Sequence, residues 1–541
     1  MAVPYSFAGT PSGTKIPLSE LDANFTYVEG QLTVAAGNVL GTPSGSSTGV
    51  AQSVPMSNIT AIAENSNTSR TLANRFGEVW NVKDYGAKGD GTTDDTNAIQ
   101  YAINVANFSG GGGIFFPTGT YVVTHLYGKS NMAFYGECAS KSIIKLNVGS
   151  TATLPLLYLD TVSNTSVEKL QFDLNAANAN PNGQPAIAMT STGNCVIRDC
   201  QFINFDKFGI QVNGTYFRVE DNYFKIYTPL TTANWGIWCC TIGPTKPCNN
   251  GILSGNYIDG SHLAVQGSQI NIINNHITNF EYGGGIVAYY GSDCFDLTIC
   301  NNICHSEHPS IDANVTVQSG MELRCYNSVI SNNICYNNAA NGIISSGRNC
   351  VISNNICYDN NLYKTVAPTF VGVGIATNVQ YPSSIVDVSG TIIQGNICFN
   401  TLGPSGNQAY GYQEANSSYS YSSPVSIINN NFNLNAIAPV DIRTFSGRIS
   451  YAAAPITARD SFGPLTLAAG ASYKGTMTCA NAVVGNVVTI AYSGDAIGVA
   501  ITGYVQSANT VAYTMTNTTS GSVTLAAGTL TSIVVSSLNN V

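Results

Sequence analysis

Residues 329–338 read VISNNICYNN and residues 351–360 read VISNNICYDN, so nearly the same segment returns after 22 residues. Further copies of this pattern lie between about residue 190 and residue 450. They are NIINNHITNF (271–280), LTICNNICHS (297–306), TIIQGNICFN (391–400) and SIINNNFNLN (426–435), with weaker copies at 196–205 and 218–227. Internal repetition with a period of this length is typical of a solenoid.

Two columns of residues appear when the copies are aligned. One column is apolar or thiol: Phe202, Phe224, Ile258, Ile277, Cys304, Cys335, Cys357, Cys398 and Phe432. Two residues earlier lies a column made mostly of Asn: Cys200, Asn222, Asn256, Asn275, Asn302, Asn333, Asn355, Asn396 and Asn430. A period of 22 residues is too short for a helix pair with loops, but it fits three short strands whose side chains alternate in and out. The repeat therefore predicts a parallel β-helix.

In that fold each column has a structural role. The apolar column stacks inside the coil, and the Asn column lies at a bend of each turn, or rung. Asn tolerates left-handed φ there, and its amide can hydrogen-bond to the next rung. We therefore interpret these Asn residues as structural.

Longer spacings between copies indicate insertions. The alignment places the extra residues at one corner of every rung, mostly before a strand that begins with Gly. These strands are GIQVN (209–213), GIWCC (236–240), GIVAY (285–289), GMELR (320–324), GIISS (342–346), GIATN (374–378) and GYQEA (411–415). Loops stacked on one side of a solenoid usually build its binding face.

The composition excludes several other classes of protein. Only 9% of the residues are charged, against about 25% in an ordinary soluble domain, which argues against helical bundles and disorder. A net charge of −9 disfavours a nucleic-acid partner. No run of 18 apolar residues and no secretion signal is present, so we expect no membrane insertion. The 15 cysteines are interpreted as buried thiols in a protein made in the cytoplasm.

Three regions are predicted along the chain. Residues 1–76 are rich in Ser, Thr, Gly and Pro and form an appended segment. Residues 77–458 form the β-helix, and its opening at 78–123 contains a strand, an amphipathic helix and two more strands. Residues 459–541 alternate apolar residues with Thr, Ser and Tyr between frequent turns, which predicts a terminal β-sandwich.

The segment NVKDYGAKGDGTTDDTNAIQYAI, continued by GGGGIFFPTGTYVV, closely resembles the opening of the pectate-lyase-like superfamily. The resemblance is to the form found in bacteriophage tailspikes and related polysaccharide depolymerases. PYSFAGT (4–10) and IPLSELDANF (16–25) resemble a phage tail attachment segment, and the terminal sandwich resembles those that close phage spikes.

This resemblance implies an all-β fold, with a right-handed parallel β-helix, a short capping α-helix and a homotrimeric spike. It implies a virion protein, made in the host cytoplasm, that binds and usually cleaves bacterial capsular or O-antigen polysaccharide. The N-terminal segment would bind a phage tail or baseplate protein, and no cofactor is expected.

The candidate site lies on GMELR. Strand alternation sends Met321 and Leu323 inward, so Glu322 and Arg324 point outward beneath the insertions. Hydrolysis of a glycosidic bond needs two carboxyl groups, and a lyase needs a base with charge stabilisation. The loops supply three candidate partners for Glu322, namely Glu281, Glu307 and Asp312.

Arg324 could orient Glu322 or bind an acidic sugar, although both residues could simply form a surface ion pair. Candidate sugar-binding residues include Arg324 itself and His308 in the loop. Tyr289 lies one rung from Glu322, and Trp238 lies three rungs away, roughly 14 Å at the usual strand spacing. That distance suits a neighbouring sugar subsite.

A metal site is a weaker interpretation. His305, Glu307 and His308 could ligate zinc, but they lie on a loop with no second fixed cluster, so hydrogen bonding explains them better. Asp90, Asp94 and Asp95 resemble a calcium loop, yet turn and helix-cap roles are simpler. We therefore predict no metal.

Several functional alternatives stay open. The fold could carry a polysaccharide lyase or a non-catalytic receptor-binding spike. A free pectin-type enzyme is disfavoured by the missing signal and the appended N-terminal segment. In a trimer the cleft could also lie between subunits and use Asp206, Asp359 or Asp387.

Overall fold

The computed structural model describes most of the chain. The described residues are 38–41, 52–55, 58–63, 65–148, 154–175, 184–205, 207–226, 235–240, 248–280, 283–288, 294–306, 318–362, 371–377, 388–414, 425–442, 449–452, 456–480, 482–484, 486–494 and 496–535. Contacts within the chain define two compact units, Met1–Trp80 and Asn81–Val541. The predicted domain boundaries at residues 76 and 458 stay predictions.

The described residues of the first unit include two short antiparallel strand pairs and one helix. The pairs are Asn38–Gly41 with Gln52–Pro55 and Thr60–Ile62 with Ser69–Thr71, and the helix α1 is Leu72–Phe76. Thr71 caps this helix, because its Oγ1 accepts a hydrogen bond of 3.0 Å from Asn74 N.

The capping segment of the solenoid follows the predicted order. It contains the strand Val79–Asn81, the 3-10 turn Val82–Tyr85, the strand Asp90–Asp94 and the helix α2, Thr96–Phe108. Helix α2 buries its apolar face, which consists of Ile99, Ala102, Ile103 and Ala106. Asp90 and Asp94 have the predicted turn and cap roles, whereas Asp95 makes no side-chain cap bond to the helix and its carboxylate accepts Lys88 N and Gly89 N instead. Asp90 Oδ1 accepts Thr92 N and Thr93 N, and Asp94 Oδ1 accepts Thr96 N.

Three long parallel sheets form the body of the second unit, and each rung contributes one strand to each sheet. Sheet 1 contains Gly112–Phe116, Met132–Gly136, Ser166–Glu168, Val196–Arg198, Arg218–Glu220, Ile252–Ser254, Asn271–Ile273, Thr298–Cys300, Val329–Ser331, Val351–Ser353, Ile392–Gln394, Val425–Ile428 and Ile449–Ala452. Sheet 2 contains Asp90–Asp94, Gly119–Val123, Ser142–Leu146, Gln171–Asp173, Gln201–Phe205, Tyr223–Ile226, Tyr257–Asp259, His276–Thr278, Ile303–His305, Ile334–Tyr336, Ile356–Tyr358 and Ile397–Phe399. Sheet 3 contains Leu126–Tyr127, Leu157–Asp160, Ile187–Gly193, Phe208–Thr215, Trp235–Cys240, His262–Gln266, Ile286–Ala288, Met321–Leu323, Ile343–Ser345, Val373–Thr377, Tyr410–Glu414 and Ala438–Ile442. The predicted parallel β-helix is confirmed.

The apolar column fills the interior as predicted. Cys304, Cys335, Cys357 and Cys398 are fully buried and pair in register on successive rungs of sheet 2. Burial raises the pKa of the Cys335 and Cys398 thiols, so they stay protonated and act as small apolar groups.

The predicted Asn ladder is present between sheets 1 and 2. Asn333 Nδ2 donates to Asn355 Oδ1 at 2.9 Å, and Asn333 N donates to the same oxygen at 2.9 Å. The same pattern links the column from Asn222 to Asn430. The predicted left-handed φ at these residues is wrong. It belongs to the exposed residue just before, such as Asn332 or Asn354 at φ 56°, because that residue makes the bend while the buried ladder Asn turns its amide inward.

A second amide ladder was not predicted. At the corner between sheets 2 and 3, Asn338 Nδ2 donates to Asn360 Oδ1 at 2.8 Å, and Asn360 Nδ2 donates to Gln408 Oε1 at 2.9 Å. Gln408 continues the ladder to Asn435 Oδ1 at 2.8 Å. The sequence feature from which this ladder could have been predicted is Asn338, the Asn that ends the repeat VISNNICYNN.

Insertions occur at two corners of the rung, so the prediction of a single corner is wrong. Residues 306–320 and 359–372 connect sheet 2 to sheet 3, whereas residues 241–251 and 378–391 connect sheet 3 to the next strand of sheet 1. The spacing between aligned residues of the apolar column includes both connections of a rung. It therefore could not show at which corner the extra residues lie. Sheet 3 thus has long connections along both of its edges.

Residues 456–535 form antiparallel sheets around an apolar core of their own. The strands are Ile456–Phe462, Leu465–Leu467, Ser472–Thr478, Val487–Tyr492, Val499–Ser507, Thr510–Asn517, Val523–Leu525 and Gly528–Val535. The core includes Val511, Met515, Leu530 and Val534. The sandwich and its boundary at residue 459 stay predictions.

Candidate functional site

Glu322 and Arg324 lie on the outer side of sheet 3. The strand Met321–Leu323 buries Met321 and Leu323 completely, so the predicted alternation is confirmed. Arg324 Nη2 donates to Glu322 Oε1 at 2.8 Å. The side chains of Arg324 and Glu322 are only 18% and 10% exposed, so the pair is held in a partly desolvated environment where its hydrogen bond is strengthened.

A glycine next to the pair allows a close approach of the backbone. A Cβ atom at Gly284 would lie 3.3 Å from Glu322 Cβ, which is tighter than ordinary packing. The segment that precedes the strand Ile286–Ala288 therefore passes directly against Glu322. Glu281 is only three residues before Gly284 in the sequence.

His262 fixes this segment and was missed by the sequence analysis. Its Nδ1 lies 2.7 Å from the carbonyl oxygen of Gly284, and the side chain is buried with 2% exposure. Burial lowers the pKa of His262 to about 4, so the imidazole is neutral near pH 7. Since a carbonyl only accepts, Nδ1 donates. The chain has only five histidines, and His262 opens a strand of sheet 3, the sheet bordered by the long connections. Its scarcity and its position are the features from which its role could have been predicted.

The register places Trp238 and Glu322 in one outward column, three rungs apart, as predicted. The residues paired between them are Ala264 and Val287. Because the Ala264 and Val287 side chains are short, they protrude little from the sheet between the Trp238 indole and the Glu322 carboxylate. Trp238 stacks on Phe208 with ring centroids 5.0 Å apart, so one indole face is covered.

Several predicted site residues lie outside the described residues. They are Glu281, Glu307, Asp312, His308 and Tyr289, together with Asp206 and Asp387 of the intersubunit alternative. Their roles stay predictions. Asp359 is described, and its carboxylate accepts Thr401 N at 2.8 Å and Thr401 Oγ1 at 2.7 Å. That contact is structural and links two neighbouring rungs.

A second carboxylate on a Gly-led strand points the other way. Glu414 pairs in register with Thr377, which pairs with Ser345, and Ser345 pairs with Leu323. All four residues are buried on the inner side of sheet 3. Glu414 is therefore separated from the outer face on which Glu322 lies.

The residues considered for metal binding have other surroundings where they are described. His305 lies on sheet 2, with its Nε2 atom 3.1 Å from His276 Nε2. Within the described ranges, no three His, Cys, Asp or Glu side chains form a cluster that could hold a metal ion. None of the helices in those ranges is long and apolar enough to cross a membrane.

The capping segment and the three sheets define the class of protein. Residues 79–155 match the family model for rhamnogalacturonase A/epimerase, pectate lyase-like. The predicted resemblance of the opening segment to the pectate-lyase-like superfamily is confirmed over these residues. The chain is a parallel β-helix with a pectate-lyase-like opening.

Named relatives share parts of this chain. Alginate lyase 7 of Azotobacter vinelandii is 47% identical over a segment covering 12% of this chain and 9% of that enzyme. The chain thus spans under a tenth of the length of that relative. The A-module of mannuronan C-5 epimerase AlgE4 from the same organism has a TM-score of 0.53 at 18% identity, covering 68% of this chain and 98% of the module. The Dettilon tailspike protein has a TM-score of 0.54 at 14% identity, covering 86% of this chain and 95% of the tailspike. At these identities the two structural likenesses concern the fold.

Proposed function

We propose that this protein is a phage tailspike that binds and depolymerises bacterial capsular or O-antigen polysaccharide. Its reaction is endo-hydrolysis of a glycosidic bond by a carboxylate pair that includes Glu322. The observation that carries the proposal is the Glu322–Arg324 ion pair, which lies on the sheet bordered by long connections. Among the described residues it is the one ion pair after residue 260.

In this reaction Glu322 is the ionised carboxylate. Arg324 donates to Oε1, which fixes the orientation of the carboxylate on the outer face of sheet 3 and compensates its charge. Glu322 then acts as base toward water or as nucleophile toward the sugar, and one of Glu281, Glu307 or Asp312 is the acid that protonates the leaving oxygen. His262 holds Gly284 and thereby the connection that carries Glu281.

Substrate binding uses the outer face of sheet 3. A sugar ring can stack on an aromatic face and hydrogen-bond to neutral amides, which suits a chain with 9% charged residues. Trp238 and Tyr289 supply rings, and Arg324 and His308 supply hydrogen-bond donors. The active form is a homotrimer in the virion, attached to a tail or baseplate protein through residues 1–76.

Product analysis tests this proposal. The purified full chain is incubated with host capsular polysaccharide or O-antigen, and we expect oligosaccharides of defined length with new reducing ends. Glu322→Gln should lower their release by about 10²–10⁴-fold. Glu220→Gln is the matched control, since Arg218 and Glu220 form the same kind of pair on a strand of sheet 1, at 2.9 Å. A fully active Glu322→Gln variant would contradict the site assignment.

A lyase is the second candidate, and the observation that favours it is Arg324. A guanidinium beside a carboxylate base is suited to an acidic sugar, whose carboxylate must be neutralised before its α-proton is removed. Products with unsaturated ends that absorb in the near ultraviolet would identify the lyase. Tight binding without any cleavage would identify a receptor-binding spike.

A further inference from the structure

The early rungs of sheet 3 carry two tyrosines on the outer face. Tyr127 and Tyr158 pair in register on neighbouring strands, and Tyr127 is 39% exposed. Their ring centroids are 6.2 Å apart with an interplanar angle of 51°, so neither ring lies flat on the other. Helix α2 fixes the first tyrosine, because Gln100 Oε1 accepts Tyr127 N at 2.8 Å and Gln100 Nε2 donates to Tyr127 O at 3.2 Å.

The next rung leaves one side of Tyr158 without a ring. Its partner there is Ala188, whose side chain is a single methyl group. Within the part of the chain that the structure describes, Tyr127 is the one aromatic ring that contacts Tyr158. By contrast, Tyr336 and Tyr358 on sheet 2 stack at 5.0 Å with an angle of 1° and cover each other's faces. A sugar stacks on an uncovered aromatic face, so Tyr158 is better suited to a sugar than the stacked rings of sheet 2.

Hydrogen-bonding groups lie beside the two tyrosines. Asp160 comes two residues after Tyr158 on the same strand and is exposed, so it lies about 7 Å farther along the outer face. Lys129 comes two residues after Tyr127. Neither charged group forms an ion pair with a described residue. A carboxylate accepts from sugar hydroxyls and an ammonium donates to them, and two opposite charges side by side favour a sugar without net charge.

These groups lie on the same outward column as the proposed catalytic carboxylate. The positions of this column follow one another in register from rung to rung as Tyr158, Ala188, Gln211, Trp238, Ala264, Val287 and Glu322. Tyr158 is therefore three rungs, roughly 14 Å, from Trp238 and six rungs, roughly 29 Å, from Glu322. The column is a line along the solenoid axis, which an extended polymer can follow.

We propose that Tyr127, Tyr158 and Asp160 form a remote subsite that binds an uncharged sugar of the same polysaccharide chain that is cleaved at Glu322. This inference rests on the proposed function and extends it, since the glycan then lies along sheet 3 and reaches toward the capping segment. A chain held at Glu322 meets the remote subsite at a high effective concentration. Long chains therefore bind more tightly than chains too short to reach Tyr158.

Kinetics on long and short substrates test the subsite in the full chain. New reducing ends are measured with host capsular polysaccharide or O-antigen and with the shortest oligosaccharides that the protein still cleaves. Tyr158→Ala should raise KM for the polymer by about 2- to 10-fold, the contribution of one ring contact, and leave kcat and the KM of the short substrates unchanged. Tyr135→Ala is the matched control and should change neither KM, because Tyr135 lies on the same rung but on sheet 1, beside Phe115 at 5.2 Å.

The outcomes separate the subsite from the proposed function. An unchanged KM in Tyr158→Ala, or an equal rise for long and short substrates, would overturn the subsite and leave the proposed function standing. Asp160→Asn should not lower KM, and a lower KM would show that the bound sugar is acidic. If the chain binds the polymer without cutting it, dissociation constants replace KM in the same comparison. A chain that neither binds nor cuts the polymer would overturn both proposals.

Discussion

The outer faces of sheets 2 and 3 differ sharply within the same rungs. On sheet 3, Glu322 and Arg324 form an ion pair between two edges with long connections. On sheet 2, the strands Ile334–Tyr336 and Ile356–Tyr358 present isoleucine and stacked tyrosine outward. Both faces are built on the same interior, so outward residues can change without disturbing the stack of buried side chains. One repeat can therefore carry an ion pair on one outer face and stacked rings on another.

The largest expected effect separates these two faces. Glu322→Gln should lower polysaccharide cleavage by about 10²–10⁴-fold, the usual contribution of a positioned acid or base. Ile334→Ser, on the outer face of sheet 2, should leave cleavage per chain unchanged. Cleavage is measured from new reducing ends. If Ile334→Ser lowers cleavage as much as Glu322→Gln does, the separation of the two faces fails.

A smaller effect comes from the histidines on the two sheets. His262 on sheet 3 has a pKa lowered to about 4 by burial, whereas an unfolded histidine titrates near 6.5. The unfolded chain binds this proton first as the pH falls, so stability is present above about pH 6.5 and is lost between there and pH 4. The loss amounts to about 3 kcal/mol.

Comparing variants isolates this contribution. His262→Gln should flatten the fall in thermal midpoint between pH 7 and pH 5. His276→Gln on sheet 2 is the control, because burial also lowers the pKa of His276 but that side chain is partly exposed. Equal flattening by both variants would contradict the distinction between the two sheets.

Sequence patterns predicted the interior of the solenoid far better than its surface. The column containing Cys335 and Cys357 and the ladder through Asn333 are confirmed, because each rung must repeat the same inward residues. The left-handed φ was assigned one residue too late, since the letters Asn-Asn do not reveal which of the two makes the bend.

The candidate site was harder to predict for a physical reason. Strand alternation placed Glu322 and Arg324 outward, and their 2.8 Å contact agrees with that placement. His262 was missed because its contact to Gly284 joins separate rungs through an irregular connection. Acidic residues in the connections, such as Glu281, follow no repeat, so no periodic argument could fix their distance from Glu322.

The ion pair on sheet 3 gives a third prediction. Arg324→Met should lower stability by about 2 kcal/mol, because it leaves the largely buried Glu322 carboxylate without its partner. Adding Glu322→Gln to Arg324→Met should recover most of this loss. Arg218→Met on sheet 1 is the control, and its 53% exposed side chain predicts little change. Thermal midpoints at a fixed scan rate provide the comparison, and a double variant no more stable than Arg324→Met would contradict the pairing.

The smallest effect concerns the rings of sheet 2. Tyr336 stacks between His305 and Tyr358, so Tyr336→Leu loses two ring contacts while keeping an apolar side chain. The expected loss of stability is about 1 kcal/mol, because ring pairs contribute little beyond the area they bury. Tyr223→Leu is the matched control, with the single stacked neighbour Tyr257 at 5.6 Å. Thermal midpoints provide the measurement, and an equal loss in both variants would contradict a contribution from the second stacked neighbour.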